Sequence, residues 1–113
     1  MNDNVVKTEY GYEIVWADTD DYVSKILVFE KANQCLPLHF HRDTEKTWFV
    51  NAGTFKVQWV DTKDAKAYAK ELPEGSVFHV PVLTPVSLES LSDNAAMAET
   101  RNQNNSKDYY RLN

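Results

Sequence analysis

Apolar and polar side chains alternate over short stretches along most of the chain. Val86-Ser-Leu-Glu-Ser90 is an example: its apolar residues recur with a period of two, which indicates a β-strand with one buried face. Turn formers such as Asn51-Ala-Gly53 and Pro73-Glu-Gly75 separate these stretches. The pattern predicts nine strands: Tyr12–Ala17, Lys25–Lys31, Leu36–His41, Lys46–Asn51, Thr54–Asp61, Lys66–Leu72, Ser76–Val80, Val86–Leu91 and Ala95–Thr100.

Many short strands at regular spacing are typical of an all-β barrel or sandwich. One segment competes with this interpretation, because Asp64–Leu72 is rich in residues that favour helices. Small and large side chains alternate strictly within it, and turns precede and follow it. We therefore expect a strand over Lys66–Leu72.

Composition predicts one globular domain over residues 1–113. The chain is 42% hydrophobic and 26% charged, which is ordinary for a globular protein. Its net charge of −5 provides no basic surface for a phosphate backbone, so we expect no nucleic-acid partner. A polar C-terminal tail from about residue 101 is expected to be mobile. Tyr109–Leu112 at its end would dock on the barrel or on a neighbouring subunit.

Cysteine content and hydropathy favour a cytoplasmic location. The single cysteine, Cys35, has no partner for an internal disulfide, which suits a reducing compartment. The first residues lack the apolar run of a secretory signal, and no stretch is long enough to span a membrane. We expect no membrane partner.

Two of the three histidines, His39 and His41, are separated by one residue. Because side chains on a strand alternate between faces, both imidazoles would lie on one face and point to the same place. That arrangement suits a metal ion or an anionic ligand. Partly buried, hydrogen-bonded imidazoles without a ligand are the alternative interpretation.

The spacing around these histidines resembles the first motif of the cupins. That motif is Gly, five residues, His-x-His, three or four residues, Glu, six residues, Gly. Here Asn33 is followed after five residues by His39-Phe-His41, after four more by Lys46, and after six more by Gly53. Asn at the first position is a mild change, since it tolerates left-handed backbone conformation.

The second cupin motif is Gly, five residues, Pro-x-Gly, two residues, His, three residues, Asn. The corresponding frame in this chain is Gly75, five residues, Pro81-Val-Leu83, two residues, Val86, three residues, Ser90. With Tyr10–Glu13, Thr47–Val50 and Lys56–Asp61, the chain is similar to small single-domain cupins of the mannose-6-phosphate-isomerase type.

The resemblance implies a fold and an assembly. The fold is an all-β cupin double-stranded β-helix, a jelly-roll barrel also described as RmlC-like. The assembly is a homodimer, in which pairing would cover exposed strand edges.

Metal-binding cupins use two histidines and a glutamate from the first motif and a histidine from the second. In this chain His39 and His41 remain, but Lys46 occupies the glutamate position and Val86 the second histidine position. A protonated amine cannot ligate a cation, and valine has no lone pair. The resemblance therefore implies a degenerate metal site, in which His39 and His41 alone would hold zinc, nickel, manganese or iron weakly.

Two residues are candidates to complete a metal shell. Glu45 is adjacent to Lys46 and would face inward if a bulge shifted the strand by one residue, although such a slip would expose Trp48 and Val50. His79 lies on a strand expected near the first motif. Its neighbour Phe78 competes with it for the inward face.

Lys46 has two interpretations. Inside the barrel, its amine would bind an anionic group of a ligand or act as a base, at a position where other cupins place a ligand to the metal. Otherwise its stem would lie on Trp48 and its amine would extend out of the barrel mouth, as is usual for lysine.

Three functional hypotheses follow. The first is a cupin with a degenerate metal site that binds a small polar molecule such as a sugar or sugar phosphate through His39, His41 and Lys46, with Trp48 and Trp59 as apolar walls. The second is a metal-dependent sugar isomerase, epimerase or oxygenase with His39 and His41 as metal ligands. The third is a non-catalytic scaffold that contacts other proteins.

Overall fold

The computed structural model describes residues 3–102 and 107–112, and these form strands and turns. The all-β prediction is confirmed. No helix within these residues is long and apolar enough to cross a membrane. The strands are β1 (Val5–Lys7), β2 (Gly11–Asp18), β3 (Val23–Phe29), β4 (Cys35–Phe40), β5 (Lys46–Ala52), β6 (Phe55–Asp61), β7 (Lys66–Leu72), β8 (Val77–Val80), β9 (Val86–Ser90), β10 (Ala95–Arg101) and β11 (Tyr110–Arg111).

The strands pair in two antiparallel sheets. The larger sheet has the order β1-β2-β3-β10-β5-β8, and the smaller has the order β11-β4-β9-β6-β7. The competing segment at 64–72 forms strand β7, which pairs with β6 along its whole length. Its side chains are mostly exposed, so its helix formers adopt a strand because β6 offers a pairing edge.

The two sheets pack face to face over one hydrophobic core. In β5, Lys46, Trp48 and Val50 are buried while the residues between them are exposed, as the alternation predicts. Phe29 of β3 meets Phe55 of β6 edge to face, with ring centroids 5.1 Å apart. The inward face of β5 therefore places Lys46 at the end of the core.

Backbone conformation supports the motif frame. The four positions at which the two cupin motifs carry glycine all have positive φ here: Asn33 at 65°, Gly53 at 77°, Gly75 at 90° and Leu83 at 62°. Asparagine adopts this conformation readily, whereas a leucine there is unusual. All four turns therefore use the left-handed conformation that favours glycine, although only two of the four residues are glycine.

Strand β4 is irregular where it carries the first histidine. Its pairing with β9 shifts between Leu36 and His39, and Pro37, which has no N–H to donate, lies in this interval. The predicted strand included His41, but the observed strand ends at Phe40. His41 therefore lies just after the strand. His41 is buried nevertheless.

The C-terminal residues return to this strand. Tyr110 and Arg111 form β11 and pair with Phe40 and His39 of β4, which places the end of the described chain beside the two histidines. Of the segment expected to be mobile, residues 103–106 lie outside the described residues. Neither β1 nor β11 was predicted, because each is too short for alternation to be visible.

Candidate ligand-binding site

The two imidazoles are buried and fixed by backbone carbonyls. Nδ1 of His39 lies 2.7 Å from the carbonyl oxygen of Pro37, and Nδ1 of His41 contacts that of Asp108. Because a carbonyl only accepts, Nδ1 of each ring carries the proton and donates it. Each Nε2 therefore presents a lone pair, which is the arrangement that a histidine needs to ligate a metal or to accept a hydrogen bond.

The amine of Lys46 lies where these two lone pairs converge. Its Nζ is 2.7 Å from Nε2 of His39 and 3.1 Å from Nε2 of His41, so it donates to both. Nζ also lies 4.9 Å from the centroid of the Trp48 ring, within the range of a cation–π interaction. Lys46 is 2% exposed and does not extend out of the barrel mouth.

Glu99 on β10 is a buried carboxylate that sequence reasoning missed. Its Oε1 accepts from the indole Nε1 of Trp48 at 2.8 Å and lies 3.9 Å from Nζ of Lys46. Its Oε2 accepts from Arg101 at 2.9 Å and lies 3.8 Å from Nζ of Lys25. The signal was present, since Glu99 follows the buried Ala95 and Met97 at a period of two.

This environment shifts the pKa values of the cluster. Burial, and then the charge of Lys46, lowers the pKa of His39 to about 3 and that of His41 to about 4. Burial lowers the pKa of Lys46 to about 7, against the attraction of Glu99. Burial alone would raise the pKa of Glu99, but the cations Lys46, Arg101 and Lys25 outweigh it and hold this pKa below the usual range. The imidazoles are therefore neutral near pH 7.

A cavity of about 310 Å³ adjoins the cluster. Its charged residues lie mainly on β2, β3, β5 and β10, and its apolar residues include a tyrosine from the C-terminal segment. The lining consists of Tyr10, Glu13, Lys25, Leu27, Leu36, His39, Lys46, Glu99, Arg101 and Tyr109.

The C-terminal segment covers the histidines. The Asp108 carboxylate accepts from the backbone N–H groups of Arg42 and Asp43 at 2.8 and 3.0 Å and from the hydroxyl of Thr44 at 2.7 Å. The ring of Tyr109 stacks on that of His39, with centroids 5.0 Å apart. Asp108 thus ties the turn after His41 to the segment that closes over the site.

The two tryptophans proposed as ligand walls lie in different places. Trp48 is fully buried under Lys46. Trp59 is partly exposed and stacks with Tyr68. Together with Phe78 it lines a separate cleft of about 410 Å³. The structure thus brings His39, His41, Lys46 and Trp48 together and leaves Trp59 apart.

The two additional candidates for a metal shell face away from the histidines. The carboxylate of Glu45 lies 3.3 Å from Nε2 of His79, and both side chains are about half exposed. His79 also contacts the hydroxyl of Thr47 on the outer face of the sheet. Their outward direction follows from the inward direction of Lys46 and Val80, their respective neighbours in the chain.

The donors present do not fit a cupin metal centre. The Lys46 amine stands between the two Nε2 atoms and occupies both lone pairs, and Val86, which pairs with His39 on the adjacent strand, has no ligating atom. Among residues 3–102 and 107–112, no group of three or more histidine, cysteine or acidic side chains is arranged to hold a metal ion.

Comparisons with known proteins agree with this architecture. A family model described as Cupin matches residues 21–110. A search of curated protein sequences finds no match. The similar solved structures share only 16–17% of their residues with this chain, so the similarity shows a common fold but does not show a common activity.

Three solved structures illustrate the structural similarity. CapF from Staphylococcus aureus is 17% identical at a TM-score of 0.81, over 96% of this chain and 33% of that one. Oxalate decarboxylase from Bacillus subtilis is 16% identical at a TM-score of 0.83, over 96% of this chain and 29% of that one. KdgF from Halomonas sp. is 17% identical at a TM-score of 0.74, over 85% of this chain and 81% of that one. The chain therefore spans only about a third of the first two proteins.

The buried histidines predict a loss of stability in mild acid. Their folded pKa values of about 3 and 4 lie below the unfolded value of 6.5, so between pH 6.5 and 5 the unfolded chain binds protons that the folded chain does not. The free energy of unfolding therefore decreases as the pH is lowered from 6.5 to 5, by roughly 2–3 kcal/mol. Urea denaturation at the two pH values measures it.

Removing the buried imidazoles provides the control for this measurement. A His39→Gln/His41→Gln variant that folds should lose much less stability between pH 6.5 and 5 than the parent protein. A free energy of unfolding that does not change over this window would contradict the burial of neutral imidazoles.

Proposed function

The chain belongs to the cupin family, and we propose that it binds a small polar molecule in the barrel through a lysine that takes the place of a metal ion. The proposal rests on one observation, the position of the Lys46 amine between Nε2 of His39 and Nε2 of His41. A cationic centre is retained at this point, and it belongs to the protein itself.

A lysine centre favours different chemistry from a metal centre. An ammonium attracts an anionic group and donates hydrogen bonds, but it does not accept lone pairs as a Lewis acid does. In this proposal His39, His41 and Lys46 provide the polar contacts and the Trp48 ring supports the amine. The proposed ligand classes are sugars and sugar phosphates. CapF, a capsular polysaccharide assembling protein, adds a reason to include carbohydrate derivatives among the ligands tested.

Ligand-induced stabilisation tests the binding function. A sugar phosphate or other small anion that binds should raise the melting temperature, because it binds the folded state only. Lys46→Met removes the ammonium while keeping the length of the side chain, so the shift should disappear. Lys70→Met on the exposed face of β7 should leave it unchanged. An identical shift in the Lys46→Met variant would contradict the role of Lys46.

The second candidate function is a metal-dependent sugar isomerase, epimerase or oxygenase with His39 and His41 as ligands. The convergence of two Nε2 lone pairs favours it, and the oxalate decarboxylase of Bacillus subtilis has Mn(II) centres. The position of the Lys46 amine opposes it. Metal content separates the two candidates.

Replacing the two altered ligand positions should create a metal site. In Lys46→Glu/Val86→His, four ligating side chains would face the point that the ammonium occupies, because Val86 pairs directly with His39. After incubation with zinc, we expect elemental analysis to find about one ion per chain in the double variant and less than about 0.1 in the parent protein.

The matched control is Val86→His alone, which keeps the ammonium and should remain as metal-poor as the parent protein. A full equivalent of metal in the parent protein would contradict the proposal and favour the enzyme hypothesis. No gain of metal by the double variant would show that position 46 has been assigned to the wrong face.

We also propose that two copies pair through the outer face of the larger sheet. One residue from each of its strands lies in a single cross-strand row, and all six are apolar: Val5, Ile14, Ile26, Ala98, Phe49 and Val77. Such a row is unusual on a surface that faces water, and the same face would serve a scaffold that contacts other proteins.

We propose a cytoplasmic location. The single cysteine, Cys35, is an exposed free thiol, which suits a reducing compartment.

Light scattering tests this pairing. Phe49 is 44% exposed, and Phe49→Lys should reduce the mass in solution from twice the chain mass to 13.0 kDa, because a buried unpaired charge is costly. Tyr22, 45% exposed and outside the row, provides the matched control Tyr22→Lys. A parent protein that is monomeric at micromolar concentration would contradict the proposal.

A further inference from the structure

The cavity beside Lys46 is lined by both charged and apolar side chains. Its charged residues are three cations, Lys25, Lys46 and Arg101, and two carboxylates, Glu13 and Glu99. With Lys46 protonated, these side chains carry one positive charge in excess. The apolar lining includes Leu27, Leu36 and the rings of two tyrosines.

Both carboxylates are already engaged. Glu99 lies within 4 Å of all three cations and also accepts from Trp48. Glu13 accepts from Nζ of Lys25 at 2.9 Å and from the hydroxyl of Tyr10 at 2.5 Å. Within the lining of the cavity, the excess positive charge is therefore shared across the cluster and is not balanced by a third carboxylate. A ligand with one negative group would balance it, because charge held away from water is stabilised by pairing.

The apolar lining and the charge of the cavity limit the rest of the ligand. Leu27 and Leu36 offer no hydrogen bond to a hydroxyl, so a polyol would lose its hydration there without replacement. A hexose phosphate carries a second negative charge near neutral pH, which exceeds the surplus. The volume of about 310 Å³ is at the lower end of the roughly 300–1,000 Å³ of typical ligand pockets, which favours a compact ligand.

Two tyrosines add aromatic surface to the lining. Tyr10 and Tyr109 line this cavity and also a second one of about 150 Å³. Tyr10 stacks on Phe29 and Tyr109 on His39, so a neighbouring ring holds each of them in place. A flat, compact apolar group packs well against such aromatic surfaces.

We propose that the cavity binds a small monocarboxylate, with its carboxylate at Lys46 and Arg101 and its hydrocarbon part against Leu27, Leu36 and Tyr109. The inference rests on the proposed binding function and specifies its ligand class.

Arg101 determines specificity. Its Nε and Nη2 donate to Oε2 of Glu99 at 3.1 and 2.9 Å. The N–H groups of Nη1, with the second N–H of Nη2, form the paired donor edge that would bind the carboxylate.

Isothermal titration with matched probes tests the proposal. Benzoate and its neutral isostere benzamide have the same size and shape and differ in charge. We expect benzoate to bind at least tenfold more tightly than benzamide and than glucose 6-phosphate. Arg101→Gln should weaken benzoate at least tenfold, whereas Arg42→Gln, at an exposed position, should not.

A second variant keeps the test valid if Arg101→Gln fails to fold. Leu36→Glu places a carboxylate in the lining of the cavity and should abolish benzoate binding, because the protein then supplies the balancing charge. Equal affinity for benzoate and benzamide, or unchanged benzoate binding in folded Leu36→Glu, would overturn the charge argument.

The same panel separates this inference from the function on which it rests. If glucose or glucose 6-phosphate binds through Lys46 and benzoate does not, the monocarboxylate inference is wrong and the binding function stands. If neither carboxylates nor sugars nor inorganic phosphate binds, both are wrong.

Discussion

The contact between the Lys46 amine and the two imidazoles is the interaction on which the site depends. In an ordinary core, a buried lysine would lose its hydration without compensation, and burial lowers its pKa to about 7 here. The site offsets this cost with two neutral nitrogen acceptors, the face of Trp48 and the nearby carboxylate of Glu99. A chain that could not hold both histidines neutral would place three positive groups together.

The surrounding structure maintains that condition. The carbonyl oxygens of Pro37 and Asp108 fix the proton on Nδ1 of each ring, so that both Nε2 atoms accept. This is also the tautomer in which a histidine ligates a metal ion, so the same two carbonyl oxygens would orient the rings for either an amine or a metal ion. The carboxylate of Asp108 meanwhile holds the turn that follows His41, so the C-terminal segment becomes part of the site.

The fold could be predicted from local features, whereas the site could be predicted only in part. Alternation in β9 and β10 and the spacing from Asn33 to Gly53 are visible in the sequence because they reflect backbone geometry. The same alternation places Glu99 on the inward face of β10, but its ion pairs with Lys25 and Lys46 join residues on three different strands and could not be predicted from the sequence. Strand β11 and the contacts of Asp108 arise from pairing with residues more than sixty positions away, as the contact between His41 and Asp108 shows. Trp59 was grouped with Trp48 because both are aromatic strand residues, but they line different parts of the barrel.

A crystal structure of protein grown with excess zinc, with anomalous data collected at the zinc edge, would show whether an amine or a metal ion occupies the point between the two imidazoles. We expect continuous density from the Lys46 side chain to a nitrogen about 2.7–3.1 Å from the two Nε2 atoms, with no anomalous peak between the rings. A well-occupied zinc ion at roughly 2.0–2.1 Å from both Nε2 atoms, with the Lys46 amine displaced, would contradict this expectation.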